Sequence, residues 1–333
     1  MEINAVFEGG GVRGIALAGA ILAAEQEGIT FHRVAGTSSG AIVASLVAAG
    51  YTAEEMKDII LTMPFSSFLK RASIFNIKWI GPAMRLLLRK GLYSGDALEY
   101  WIDELLRKKG VRTFGDIGKD RLRIIASDIT NGRIVVLPDD LHQYGIQSKH
   151  FPISKAVRMS TSIPYFFDPV MMREQLKSGR KKPFRKSFTY IVDGGLLSNF
   201  PLWLFEDETD PRTKRMVPTI GFQLVGKNEG QPHSIHGLIS MLQAMVETML
   251  SAHDERYIEQ RNRFRTIKIP TLGVGVTQFD VSEEMSLALY QSGEAAGQAF
   301  FDQWTYTQYE HMFKQYTTKP NIHVQFSKKG EDH

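Results

Sequence analysis

The chain has 333 residues, 43% of them hydrophobic and 23% charged, which is ordinary for a soluble globular protein and long enough to bury a full core without disulfide or metal staples. It contains no cysteine, which excludes a disulfide framework, a cysteine nucleophile and any cysteine-ligated zinc or iron–sulfur site. The net charge of +4 is mild but uneven, because residues 64–92 carry six bases and no acid; such a block suits an anionic partner surface.

In chain order, residues 3–7 are apolar and β-rich and run into three glycines. Residues 14–27 are rich in Ala and Leu, good helix formers, and Gly28 closes them. The apolar part of this stretch, residues 15–24, is short of the roughly 20 residues a membrane span needs. The opening Met1-Glu2-Ile3-Asn4 has no basic leader region, so a cytoplasmic, unprocessed chain is expected. Residues 31–35 read as a second strand, 36–40 as a tight turn and 41–49 as a helix ended by Gly50. That strand-loop-helix-strand-turn-helix order predicts an α/β fold whose mostly parallel sheet is covered by helices.

Thr52 and Glu55 form a capping box for the next helix. Residues 64–92 are aromatic and basic, residues 95–109 helical, and residues 122–127 and 134–137 strands about an Asn131-Gly132 turn. Strands are predicted at 165–172 and 188–192, separated by a polar, basic loop at 177–186. Late strands fall at 218–225 and 266–269, with a long helix over 234–263 between them. Asp280 and Glu283 read as a second capping box, opening a helix towards Trp304; the last 25 or so residues give a weak signal. There is no internal repeat and no low-complexity linker, so one domain is expected.

Three glycine-punctuated motifs carry chemistry. The first is Gly9-Gly10-Gly11-Val12-Arg13-Gly14, directly after a strand and opening a helix. Consecutive glycines let backbone N–H groups turn to one side, and the helix start adds positive potential, so the loop suits a phosphate or a developing oxyanion. It also fits the dinucleotide fingerprint, but that reading needs an acid at the end of the second strand; residues 31–36 offer none, leaving only an NADP site using Arg33. The second motif is Gly36-Thr37-Ser38-Ser39-Gly40, a G-x-S-x-G between strand and helix. A serine on such a turn sits at a strained backbone position with its hydroxyl exposed above the sheet, and the N–H of the following residue, Ser39, lies near the developing oxyanion. A nucleophilic serine needs a base. The downstream histidines, His233, His236, His253, His311, His323 and His333, have no catalytic-looking neighbourhood. The third motif supplies a better base: residues 190–195 form a buried-looking strand ending in Asp193, followed by Gly194 and Gly195. Desolvation there would raise the carboxyl pKa towards that of a useful general base.

The three motifs in this order resemble the patatin-like phospholipases. The segment 160–169, Asn199 and Pro201 after the Asp-Gly-Gly, and residues 277–280 before a helix add to the likeness, which spans about residues 3–300. The resemblance implies a three-layer α/β/α fold and a Ser38–Asp193 dyad in place of a triad. It implies an oxyanion hole from the backbone of Gly10 and Gly11 with Arg13 close by, Ser39 N–H contributing. No metal and no cofactor are implied. The acyl hydrolase domain is then expected over residues 1–305, including a lid-like segment at 64–92, with a C-terminal extension at 306–333.

Within 64–92, bases alternate with Phe65, Phe68, Phe75 and Trp79, as suits docking on anionic lipid with rings at headgroup level. Lys70, Arg71, Trp79, Arg85, Arg89 and Lys90 are the docking candidates. The expected partner is a phospholipid membrane surface that holds the substrate. No helix–turn–helix, zinc finger or RNA-recognition sequence accompanies the bases, so a nucleic-acid partner is not expected. The expected function is cleavage of fatty-acyl esters of phospholipids or lysophospholipids through an acyl-enzyme. The rivals are a neutral-lipid esterase or acyltransferase on the same dyad, and a non-catalytic membrane-binding protein.

Overall fold

Strand β1 (Glu2–Phe7) is buried at every position from Ile3 onward, with Asn4 the one polar side chain among them, as suits a central strand of a parallel sheet covered on both faces. In the computed structural model the described residues are 1–63, 89–173, 188–205, 216–226 and 262–317, apart from 277 and 279, together with positions 68, 235, 237, 241, 244, 245 and 248. The neighbours of β1 are β2 (Thr30–Thr37) and β9 (Thr219–Val225), and β10 (Thr266–Pro270) continues the parallel set beyond β9. On the other side, β4 (Leu122–Asp128) pairs in parallel with β2, while β5 (Arg133–Leu137) and β8 (Phe188–Asp193) run antiparallel to β4 and β7 (Val170–Arg173) runs antiparallel to β8. The sheet order is therefore β10-β9-β1-β2-β4-β8-β7, with β5 against β4. A separate parallel pair joins β3 (Gly91–Tyr93) to β6 (Tyr165–Phe167).

Helices cover the sheet: α1 (Ile15–Gln26), α2 (Ser39–Ala48), α3 (Ala53–Leu61), α4 (Asp96–Lys108), α5 (Ile153–Ser160), α6 (Glu283–Phe301) and α7 (Tyr306–Thr317). Helix α1 is apolar almost all round because the sheet lies on one side and α6 on the other. The two helices meet backbone to backbone. A Cβ at Gly19 would fall 1.8 Å from the Tyr290 carbonyl oxygen, and one at Gly293 1.8 Å from that of Ala16. The core closes around Phe7, Phe31 and Phe222, with the Phe7 and Phe222 rings 4.8 Å apart.

The expected strands and early helices are present, and Thr52 and Glu55 make the capping box. The hairpin at Asn131-Gly132 forms because Asp128 Oδ1 accepts from the N–H groups of Thr130 and Asn131. Four expectations change. The predicted strand 165–172 is two strands, β6 and β7, in different sheets; the break falls at Asp168-Pro169, where proline has no N–H to continue a ladder. The cap of α6 is Ser282, whose hydroxyl accepts from Met285 N–H at 3.2 Å, in place of Asp280. The five-residue turn at 36–40 contracts to Ser38 alone between β2 and α2. Within the weakly patterned C-terminal stretch, α7 is tied down by Tyr309, 2% exposed, whose hydroxyl accepts from Thr219 N–H at 3.0 Å. Residues 241, 244, 245 and 248 are helical as expected; most of the predicted 234–263 helix, and the 177–186 loop, lie outside the described residues. Among the described residues no helix is long and apolar enough to cross a membrane.

Candidate active site

The site forms where two strands meet head to head along β4. β2 runs parallel to β4 and ends with Thr37 opposite Ile125, while β8 runs the other way and ends with Asp193 opposite Ala126. Ser38 follows Thr37 directly, so the serine turn and the strand-end aspartate converge from positions 155 residues apart in sequence. Ser38 Oγ donates to Asp193 Oδ2 at 2.7 Å.

Ser38 is held in a conformation that L-residues rarely adopt, with φ 53° and ψ −124°. The turn is kept by its surroundings. A Cβ at Gly40 would fall 2.2 Å from the Phe7 carbonyl oxygen, so helix and strand can approach this closely only with glycine there. The Ser38 N–H donates to Ser160 Oγ at 2.9 Å, and the Ser160 hydroxyl donates onward to the Ile125 carbonyl at 2.6 Å. Ser160 thus ties the turn to β4 just where the two strand ends meet.

Asp193 is 2% exposed. Burial pushes its carboxyl up to about 7, against the opposing pull of hydrogen bonds from Ser38 Oγ and from Gly195 N–H, the latter 2.8 Å from Oδ1. Gly194 packs against β4, where a Cβ would lie 2.3 Å from the Ile125 carbonyl oxygen. No histidine among the described residues hydrogen-bonds to either member of this pair.

The glycine loop lies beside them. Gly9 N–H donates to the Asn199 carbonyl at 3.2 Å, and Asn199 Nδ2 donates back to the Gly9 carbonyl at 3.1 Å. Arg13 Nε donates to the Gly10 carbonyl at 3.2 Å, so the guanidinium braces the loop from its carbonyl side. Gly11, with φ +57°, faces the same cleft as Ser38, and its N–H has no partner among the described residues. Gly10 N–H differs from expectation: it donates to Ser39 Oγ at 3.0 Å, because Gly14 leaves room for the Ser39 side chain against the loop.

A cleft of about 770 Å³, counting its open mouth, leads away from Ser38. Its walls are apolar stripes at helical spacing: Ile42, Val43 and Leu46 from α2, and Met56, Ile59 and Ile60 from α3 with Met63 just beyond its end. Motif reading missed these residues, because both sets recur at the one-, three- and four-residue spacings of an ordinary core face and carry no mark separating a cleft from a core. It also missed Ser160, which heads the 160–169 segment, and gave no role to the Asn199 side chain.

Of the docking candidates, Arg89 and Lys90 are exposed, with Lys90 Nζ 5.1 Å from the centre of the Tyr190 ring. Lys70, Arg71, Trp79 and Arg85 lie outside the described residues. Among the described residues no cluster of three His, Asp or Glu is placed to hold a metal ion.

The chain has relatives among known proteins. A family model for patatin-like phospholipases matches residues 5–205, the span that holds the glycine loop, Ser38 and Asp193. Over 311 residues the chain is 43% identical to the uncharacterized protein YqhO of Bacillus subtilis (strain 168), covering 92% of this chain and 100% of that protein. An uncharacterized NTE family protein of Mycobacterium tuberculosis (strain ATCC 25618 / H37Rv) is 26% identical over 275 residues, which is 76% of this chain and 38% of that one. Among solved structures, VipD from Legionella pneumophila shares the fold, with a TM-score of 0.50 at 16% identity over 91% of this chain and 67% of that chain. With all three glycine-punctuated motifs inside the matched span and a relative aligned over its whole length, the chain belongs to the patatin-like phospholipase family.

Proposed function

We propose that the protein hydrolyses fatty-acyl esters of phospholipids or lysophospholipids, with Ser38 as nucleophile and Asp193 as its base. One observation carries the reading: a 2.7 Å Ser38–Asp193 hydrogen bond at the head of an apolar cleft. Asp193 takes the hydroxyl proton as Ser38 Oγ bonds to the ester carbonyl carbon, and the resulting oxyanion is held by Gly11 N–H and by Ser39 N–H at the positive end of α2. Collapse breaks the bond to the alcohol, which leaves with the proton from Asp193. Asp193 then takes a proton from water as the water oxygen attacks the acyl-enzyme, and Ser38 recovers its proton as the fatty acid departs. A carboxyl near pH 7 suits both directions of this transfer.

The test is product analysis from mixed phospholipid and triacylglycerol vesicles with a chelator present. Fatty acid and lysophospholipid are the expected products. Release from triacylglycerol alone would make the protein a neutral-lipid esterase, acyl transfer to added alcohol would make it an acyltransferase, and vesicle binding without release would leave a membrane-binding protein.

The cleft supports a single extended acyl chain. Leu46 stands eight residues beyond Ser38, about 12 Å along α2, the length of roughly nine or ten methylenes at about 1.3 Å each. Leu46 and Met56 are buried, at 2% and 0% exposure. Leu46→Trp is therefore expected to lower kcat/KM for palmitoyl esters by about 10- to 100-fold, as several methylenes lose their apolar contact, while butyryl esters change little. Equal losses on both chain lengths would show that Leu46 does not meet the chain.

Membrane docking through the basic segment is part of the same proposal. Replacing Lys70, Arg71, Arg89 and Lys90 together by Gln is expected to weaken binding to anionic vesicles by about 100-fold or more, at about 1 kcal/mol per base. Sedimentation with neutral vesicles should show little change; equal loss on both vesicle types would remove the electrostatic role.

A further inference from the structure

We propose that the Ser39 hydroxyl is itself a donor to the oxyanion, and that Gly10 N–H acts through it. This rests on the reading of Ser38 as nucleophile. A hydroxyl can both accept and donate. Ser39 Oγ accepts from Gly10 N–H at 3.0 Å, and its own proton has no acceptor among the described residues. Ser39 is only 8% exposed, and it lines the same cleft as Ser38 and Gly11. Its unspent proton is therefore available to an acceptor bound in the cleft that Ser38 and Gly11 share.

Two features make the hydroxyl a good donor there. Accepting from Gly10 N–H polarises the O–H group, and such chains of hydrogen bonds reinforce one another in a low-dielectric site. The side chain is also confined: a Cβ at Gly14 would lie 2.7 Å from both Cβ and Oγ of Ser39, so Ser39 fills the space that Gly14 leaves open. A donor fixed in advance need not reorganise as charge develops on the carbonyl oxygen, which is what gives an oxyanion hole its effect. The glycine loop then contributes by two routes, directly from Gly11 N–H and at one remove from Gly10 N–H.

The experiment compares wild type with Ser39→Ala, Ser39→Thr and Ser39→Cys, using the p-nitrophenyl ester of decanoic acid and decyl trifluoromethyl ketone, which forms a hemiketal oxyanion on a nucleophilic serine. Ser39→Ala is expected to lower kcat by about 10- to 100-fold with KM within about twofold, and to raise the ketone inhibition constant by the same factor, because both report a bond made to the oxyanion. Ser39→Thr should recover both. Unchanged kcat and ketone affinity in Ser39→Ala would overturn the proposal. So would a fall in kcat with unchanged ketone affinity, which would mean that Ser39 only shapes the loop. If the alanine variant does not fold, Ser39→Cys keeps the bulk with a much weaker donor and is judged on the same two readouts. Full hydrolysis by Ser38→Ala would be a separate result, refuting the nucleophile and with it the role of Ser39.

Discussion

Ser38→Ala is expected to lower fatty-acid release from phospholipid vesicles by on the order of 10⁴-fold or more, with thermal unfolding close to wild type. The loss is large because the nucleophile, its base and the oxyanion donors act as one unit, so removing the attacking oxygen leaves only binding and the oxyanion hole. Stability is spared because alanine keeps the Cβ and the main chain at this turn, including the Ser38 N–H bond to Ser160 Oγ. The turn itself carries strain at φ 53°. Ser38→Gly should therefore unfold later than Ser38→Ala, by about 1 kcal/mol or somewhat more, since glycine enters this region freely. Calorimetry of the two variants checks the strain independently of any substrate. Residual activity within tenfold of wild type in Ser38→Ala would remove the serine mechanism.

Asp193→Asn is expected to abolish hydrolysis to a similar degree and, above neutral pH, to make the protein more stable. The sign follows from the carboxyl being raised in the folded state to about 7 from an ordinary 3.8. The folded protein then holds its proton more tightly than the unfolded chain between those values, so wild-type stability is full below about pH 4, declines as pH rises through 7, and stays low above it. A shift of three units corresponds to about 4 kcal/mol at the upper limit, reduced by whatever the amide loses in bonds to Ser38 and Gly195. Denaturant titrations at pH 4 and pH 8 should find the two proteins equal at the first and the Asn variant ahead at the second. The same carboxyl must be ionised to accept the Ser38 proton, so wild-type kcat/KM should rise with pH, reach half its plateau near 7 and level off about one unit higher. Activity independent of pH between 5 and 8 would show that Asp193 is not the titrating base, and equal stability at pH 8 would show that it is not held up by burial.

The legible parts of this protein were local. Residues 3–7, 31–35 and 122–127 announced strands as short, mostly apolar or β-branched stretches next to glycines or turn residues, and Thr52 with Glu55 announced a helix start, because a short stretch of chain decides these by its own composition and capping chemistry. Where two readings competed locally, context chose. Asp280 and Ser282 are both good caps, and α6 begins after Ser282. Residues 165–172 look like one strand until Pro169 withholds an N–H and the two halves join different sheets.

For the site, sequence by itself determined which residues carry reactive groups: a serine on a glycine-flanked turn, an aspartate at a strand end, and a glycine loop before a helix. Each of those depends on backbone freedom and residue type within about six positions. Tertiary structure alone decided that Ser38 and Asp193 meet, because β2 and β8 end at adjacent residues of β4, Ile125 and Ala126, and no local pattern states a register between strands so far apart. It alone turned the apolar faces of α2 and α3 into a cleft instead of a core. It also sent Gly10 N–H to Ser39 and raised the Asp193 carboxyl, since a hydrogen-bond partner and a desolvation cost belong to the packed surroundings of a group and are absent from the chain until it folds.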